Sequence, residues 1–393
     1  MRTDHYAIHT ILVAALGASL AADAVPSPGG SPAGFKTVVV LGDSRTDGCT
    51  GEKKTSDCRA RDVGFRRRDL TQLLTLAMRQ RPAAVFFTGD LTLGLEKEET
   101  AGVVDPGDTP AAGGWASEFE YDSKTFERMI KAFKRSVTAA LPGTPFHPIV
   151  GNHDTVGPDA LSLFRRTFGL EHPAEGFNDP SHLAYVESVG TATFFVIATD
   201  FYIDCRPGQQ APACNLQEHQ ILQPQLDWLD QALAAHAGQR LFVVGHEPAY
   251  SAGGTVVGLD TNPTARDAFW AVLQKRGVVA YICSHQHRYD LSQHGGVWQL
   301  VSGGAGADLD DAEATGTSSA KARAPDGERC TGGATIKPAS RDTSFFHYVS
   351  LRIPNDSTRA AVATIRDCLD RTHAVIPLIP AAAAPPASGK GGE

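Results

Sequence analysis

Short unbroken apolar runs alternate along this chain with longer segments whose apolar residues recur at helical spacing. Thr37 to Leu41 (TVVVL) is continuous and β-branched, the pattern of a strand covered on both faces. Phe65 to Gln80 places Leu70, Leu73, Leu74 and Ala77 on one side of a helix. Ala83 to Thr88 (AAVFFT) predicts a second buried strand, Glu118 to Ala140 a second helix, and Pro148-Ile149-Val150 the end of a third strand. The rhythm continues with strands over Thr193 to Ala198, Leu241 to Val244, Val278 to Ile282 and Val297 to Val301. Helices are expected over Pro224 to His236, where Leu226, Leu229 and Leu233 align, and near Thr264 to Lys275. Phe345 to Ile353 and Arg359 to Ile365 read as a closing antiparallel pair. Alternation of this kind predicts an α/β fold: one domain over 35–370, with a two-sheet core flanked by helices and no internal repeat.

Other stretches lack core character. Glu96 to Gly114 is charged, then rich in Pro, Gly and Ala, and Asp308 to Arg341 is polar and reads as a mobile insertion. The Ala/Pro/Gly tail 380–393 reads as disordered. The 393 residues are 42% hydrophobic, enough for a sizeable core, and the net charge of -8 argues against general nucleic-acid binding. A monomer is expected.

The first 24 residues read as a secretion signal. Arg2 starts it, Ile11 to Leu20 supply the apolar segment, and Ala22-Asp23-Ala24 offers small residues for cleavage. The run is short for a membrane span, so the protein is expected to be secreted or periplasmic; an uncleaved anchor is the alternative. Export permits disulfides. Cys49 with Cys58 and Cys205 with Cys214 are the favoured bridges, each worth about 2–3 kcal/mol by loop closure. Cys330 with Cys368 is a further candidate, and Cys283, in an apolar run, reads as a buried thiol.

The chemistry-bearing residues share one position: each group follows an apolar strand. They are Gly42-Asp43-Ser44-Arg45, Gly89-Asp90-Leu91-Thr92, Gly151-Asn152-His153-Asp154, Gly245-His246-Glu247-Pro248 and Ser284-His285-Gln286-His287. In an open α/β sheet, ligands gather beyond the carboxyl ends of the strands, so these segments are expected to line one cleft. Oxygen and imidazole donors without thiolate suit Mn, Fe or Zn. Taken singly, an Asp after a strand is more often a turn or helix cap.

The order of these motifs resembles the calcineurin-like metallophosphoesterase superfamily, over roughly Val38 to Gly306. The resemblance implies a four-layer α/β/β/α sandwich, two divalent or trivalent metal ions, and hydrolysis of a small phosphomonoester or phosphodiester by metal-bound hydroxide. By motif, Asp43 and His287 match ligands of the first metal, Asp90 the carboxylate shared by both, and Asn152, His246 and His285 ligands of the second. Asn152 would also reach substrate. His153 matches the residue that stabilises the transition state or protonates the leaving oxygen, with Asp154 orienting it.

Two positions depart from that pattern. Arg45 stands where the first motif has a His ligand, and a permanently protonated guanidinium cannot bind a metal. It could contact substrate phosphate or pair with a nearby carboxylate. Leu93 stands where the second motif often has Asp or Asn, and where the purple acid phosphatases need a Tyr. The alternative reading is therefore a catalytically weak relative that binds a phosphorylated ligand at an incomplete first site. Among the remaining histidines, His147 reads as packing, His347 as facing outward from a strand, and His219 as needing no function.

Overall fold

The computed structural model describes residues 34–45, 64–93, 96–97, 119–120, 122–155, 157, 159–170, 183–199, 202–203, 215–216, 219–252, 258–307, 309 and 345–379. The signal segment, the 310–341 part of the insertion and the 380–393 tail lie outside these residues. So does at least one cysteine of each expected bridge.

In chain order the elements begin β1 (Phe35–Leu41), α1 (Arg67–Met78), β2 (Ala84–Phe87), β3 (Glu96–Lys97), β4 (Phe119–Glu120), α2 (Ser123–Ala140), β5 (Phe146–Pro148) and α3 (Ala160–Phe168). They continue with β6 (Tyr185–Val189), β7 (Ala192–Val196), β8 (Tyr202–Ile203), β9 (Asn215–Leu216), α4 (Gln223–Ala235) and β10 (Arg240–Val244). The last are α5 (Pro263–Arg276), β11 (Ala280–Cys283), β12 (Tyr289–His294), β13 (Val297–Ser302), β14 (His347–Pro354), β15 (Ala361–Asp367) and β16 (Thr372–Leu378).

Two six-stranded sheets result, ordered β16-β15-β14-β1-β2-β5 and β12-β13-β11-β10-β7-β6. β1, β2 and β5 run parallel, as do β7, β10, β11 and β13, and the remaining strands pair antiparallel. The two-residue ladders β3·β4 and β8·β9 stand apart from both sheets.

Side-chain alternation assigns the layers. Along β1, Val38 and Val40 point between the sheets with Phe86, Phe194, Phe242 and Val349, whereas Val39 and Leu41 pack outward with Leu70, Leu74 and Phe133. Phe194 stacks on both Phe86 and Phe242, at 4.8 and 5.0 Å between ring centroids, and so joins the sheets. The outer face of the second sheet buries Phe195, Val243 and Tyr281 against Leu229 of α4 and Trp270 of α5. This is the expected α/β/β/α order. The helices end where local chemistry dictates: Asp122 accepts from the Thr125 amide at 2.8 Å to cap α2, and Gly169 and Gly277 close α3 and α5 in the left-handed region.

The elements that sequence periodicity missed are α3, the short ladders β3·β4 and β8·β9, and three strands that form sheet edges, β6, β12 and β16. The helix expected from Glu118 begins only at Ser123, because Phe119–Glu120 pairs as β4 and Asp122 caps α2. Edge strands are covered less completely, so they carry polar residues instead of apolar runs: β12 reads YDLSQH, and Val375 of β16 is 61% exposed. His347 corrects an expectation in the other direction. It sits on β14, between β1 and β15, and is fully buried. Cys283 is a buried free cysteine, its thiol pushed well above the usual range by burial.

Candidate metal centre

The five motif segments leave their strands at one end of the two sheets and are stitched together by backbone bonds. The amides of Asp43 and Ser44 donate to the carbonyls of Gly89 and Asp90, each at 3.1 Å. Within the second sheet the Ser284 amide donates to the His246 carbonyl at 2.8 Å, and across the sandwich Ser284 Oγ donates to the Thr88 carbonyl at 2.6 Å. Asp43, Asp90 and His285 adopt left-handed backbone, with φ of 60, 51 and 68°. Non-glycine residues take that conformation at a cost, and such strain clusters at functional sites. At Gly89 (φ 103°) and Gly151 the reason for glycine is packing as well. A Cβ on Gly89 would overlap the His246 ring, and one on Gly151 would overlap the Asp90 amide and carboxylate.

Within this frame Asn152 Oδ1, His246 Nε2 and His285 Nδ1 form a near-equilateral triangle, with sides of 3.0, 3.1 and 3.2 Å. Asp90 Oδ1 lies 3.4 Å from His246 Nε2. Donors bound to one ion at about 2.1 Å are separated from one another by about 3.0–3.4 Å. His246 Nδ1 faces the Thr88 carbonyl at 2.8 Å, so that nitrogen carries the ring proton and Nε2 presents a lone pair. One proton on His285 Nδ1 could serve two edges of the triangle. It cannot also reconcile His246 Nε2 with the Asn152 and Asp90 oxygens. A cation does.

Asp43 and His287 adjoin this group. Asp43 Oδ2 accepts from the His285 amide at 2.9 Å, and Oδ1 lies 3.8 Å from His287 Nε2. Oδ1 is buried with no hydrogen-bond partner among the described residues. Oxygens of Asp43 and Asp90 and a nitrogen of His246 fall within 4.8 Å of one another, all from buried residues. Burial pushes the Asp43 carboxyl up to about 8, against the pull of His287. Burial also disfavours charge on Asp90, but His246, His153 and Arg45 outweigh it and hold that group below the ordinary range. A buried carboxylate with an orphaned oxygen is what a cation site looks like without its ion.

Arg45 takes the carboxylate partner: its Nε donates to Asp90 Oδ2 at 3.1 Å, both residues being buried. His153 presents its amide to Asp90 Oδ1 at 3.0 Å and its ring Nδ1 to the Leu93 carbonyl at 3.0 Å. Its Nε2 is buried with no partner among the described residues, and burial next to Arg45 depresses the imidazole to about 3. Asp154 does not orient the His153 ring as the motif implied. It accepts from the Leu91 and Gly151 amides at 3.2 and 3.0 Å, tying the second motif loop to the third, while the Leu93 carbonyl holds the ring. Burial, then the charge of Asp90, raises the Asp154 carboxyl well above its ordinary value.

Several supporting groups escaped the sequence reading. Ser284 and Thr88 adjoin motif residues, which was the available signal. The Leu93 carbonyl gave none, because a backbone oxygen has no sequence signature. His219, expected to be idle, pairs with buried Glu247 at 2.9 Å, and its ring lies 6.5 Å from that of His285. His147 does pack, stacking on Phe86 at 4.7 Å.

A family model described as calcineurin-like phosphoesterase matches residues 37–289. Among curated proteins, none matches this sequence. The fold is similar to that of a purple acid phosphatase from yellow lupin (Lupinus luteus) seeds, with a TM-score of 0.52 at 15% identity over 87% of this chain. This chain spans only 53% of that structure's length. It is also similar to a dimetal phosphatase from Danio rerio, with a TM-score of 0.50 at 15% identity, covering 88% of this chain and 99% of the other.

Proposed function

Because the chain belongs to the calcineurin-like phosphoesterase family, we propose that it is a metal-dependent phosphoric ester hydrolase that cleaves a small phosphomonoester or phosphodiester at the strand-end cleft. The observation that carries this reading is the Asn152–His246–His285 triangle, three donor atoms at the spacing of shared ligands, with Asp90 Oδ1 3.4 Å from its His246 corner. These residues would hold the ion. When bound, it supplies Lewis-acid polarisation of a phosphoryl oxygen and lowers the pKa of a neighbouring water. Mn, Fe and Zn all suit this donor set.

The chain's own residues supply the rest. Arg45 brings a fixed positive charge to Asp90, within the same buried cluster. His153 is held by Leu93 with Nε2 bare; an incoming phosphate oxygen would supply the missing partner and draw a proton onto that nitrogen. So placed, His153 stabilises charge on the phosphoryl group or the leaving oxygen. Buried walls keep bulk water from screening these charges.

Export is part of the proposal. It rests on the N-terminal pattern of Arg2, the apolar Ile11 to Leu20 segment and Ala22-Asp23-Ala24. No helix among the described residues is long and apolar enough to cross a membrane.

The test is turnover of p-nitrophenyl phosphate and bis-p-nitrophenyl phosphate by protein loaded in turn with Mn, Fe and Zn. Activity with at least one metal, lost with a chelator and in His246→Ala, is expected. No turnover with any of the three, while inorganic phosphate still binds, would replace the hydrolase with a phosphate-ligand-binding relative.

A further inference from the structure

We propose that this chain holds one metal ion, not two, because the Arg45 guanidinium occupies the face of Asp90 that a second ion would have to share. The inference rests on the metal-centre reading above but does not depend on turnover.

A carboxylate that links two cations must offer lone pairs to both. Asp90 Oδ1 faces His246 Nε2 at 3.4 Å, whereas Oδ2 accepts from Arg45 Nε at 3.1 Å. Arginine stays protonated at any working pH and has no lone pair to give, so it competes with an ion instead of binding one. Its charge also repels a dication at short range, in surroundings where Asp43, Asp90, His246 and His287 are buried and screening is weak.

The donors divide unequally. On one side stand Asn152 Oδ1, His246 Nε2, His285 Nδ1 and Asp90 Oδ1. On the other, Asp43 Oδ1 and His287 Nε2 stand 3.8 Å apart; Asp43 Oδ2 accepts from the His285 amide at 2.9 Å, as Asp90 Oδ1 does from the His153 amide at 3.0 Å.

Nor is Arg45 loosely placed. Its backbone forms an isolated antiparallel bridge with Phe65, and its neighbour Ser44 accepts from the Arg66 amide at 3.0 Å. A guanidinium so anchored, at 8% exposure, acts as a built-in replacement for the positive charge of the missing ion. Asp43, with an oxygen within 4.8 Å of ligand atoms of Asp90 and His246, stays within reach of the single ion, and His287 is left with no second ion to bind.

The test is metal stoichiometry with a spectroscopic readout. The wild-type chain, stripped with chelator and titrated with Mn(II), should saturate at one ion and give the resolved hyperfine pattern of an isolated Mn(II) centre. Arg45→His should take up a second ion and show exchange coupling. Two equivalents with a coupled spectrum in the wild type would overturn the proposal. Should Arg45→His fail to fold, His287→Ala decides: stoichiometry unchanged at one supports the inference, and a fall relative to wild type refutes it. An inactive chain carrying one ion would sink the hydrolase reading and leave this one standing. An active chain carrying two would do the reverse.

Discussion

The carbonyl oxygen of Thr88 accepts the Nδ1–H of His246 at 2.8 Å, and so fixes which nitrogen of a fully buried imidazole offers its lone pair to the cleft. Thr88 immediately precedes the second motif and His246 opens the fourth, 158 residues away, so the contact spans both sheets. Ser284 Oγ braces the pair, lying 2.6 Å from the Thr88 carbonyl and 3.2 Å from His246 Nδ1. Loss of such outer partners costs about 10–100-fold in metal affinity. Ser284→Ala should therefore fold normally but bind Mn(II) about tenfold more weakly by calorimetric titration. Unchanged affinity would show that Thr88 alone orients the ring.

Gly89→Ala should be far more damaging than its one added methyl group implies. The residue sits at φ 103°, and its Cβ would strike the His246 ring. Left-handed strain alone costs about 1–2 kcal/mol, and the overlap displaces a ligand. We expect metal binding to fall beyond detection and the unfolding midpoint to drop; a variant retaining full metal content would refute the packing argument.

His153→Gln separates catalysis from metal binding. The His153 ring touches the Leu93 carbonyl, while only its amide meets Asp90, and a Gln keeps that amide. The expected result is unchanged metal content with kcat lower by about 100-fold or more. Loss of metal together with activity would reassign the ring to the ion.

The buried Asp43 carboxyl has a pH signature. Its folded-state value of about 8 exceeds the ordinary 3.8, so the neutral form favours the folded metal-free protein. That stability is fully present below pH 4 and is lost as pH rises toward 8. Asp43→Asn cannot titrate. The unfolding midpoint of this variant, minus that of chelator-treated wild type, should grow between pH 4 and 8. A flat difference would show that Asp43 is ionised throughout.

Arg240 is a structural counterpart to Arg45. Its guanidinium donates to Thr191 Oγ1 at 2.6 Å and to the carbonyls of Pro354, Asp356 and Arg359 at 3.1, 3.1 and 2.7 Å, joining β10 to the β14–β15 turn of the other sheet. Arg240→Met strands the buried Pro354 carbonyl and breaks three part-buried bonds, and should lower stability by about 1–3 kcal/mol in urea unfolding, with metal content untouched.

The order of layers was legible in the chain because interior strands and amphipathic helices imprint themselves on neighbouring residues. TVVVL and AAVFFT must be apolar on both faces, since helices cover one side and the second sheet the other. The motif residues were legible for a related reason. A ligand can reach the cleft only from a strand's carboxyl end, and glycine must stand where the imidazole packs, so type and position are both constrained locally. Edge strands such as β12 and β16 carry no such imprint, because solvent replaces one neighbour.

Partnership was decided by the tertiary structure alone. The sequence allowed Arg45 a phosphate or a carboxylate, and assigned Asp154 to its neighbour His153. The fold gave Arg45 to Asp90, and gave Asp154 to the amides of Leu91 and Gly151. Hydrogen bonds and ion pairs form between groups that meet in space, and the His285 amide meets an Asp43 oxygen 242 residues away. No periodicity within either segment encodes that meeting. What the chain carries locally is the supply of donors; which of them share a cation is settled where the two sheets converge.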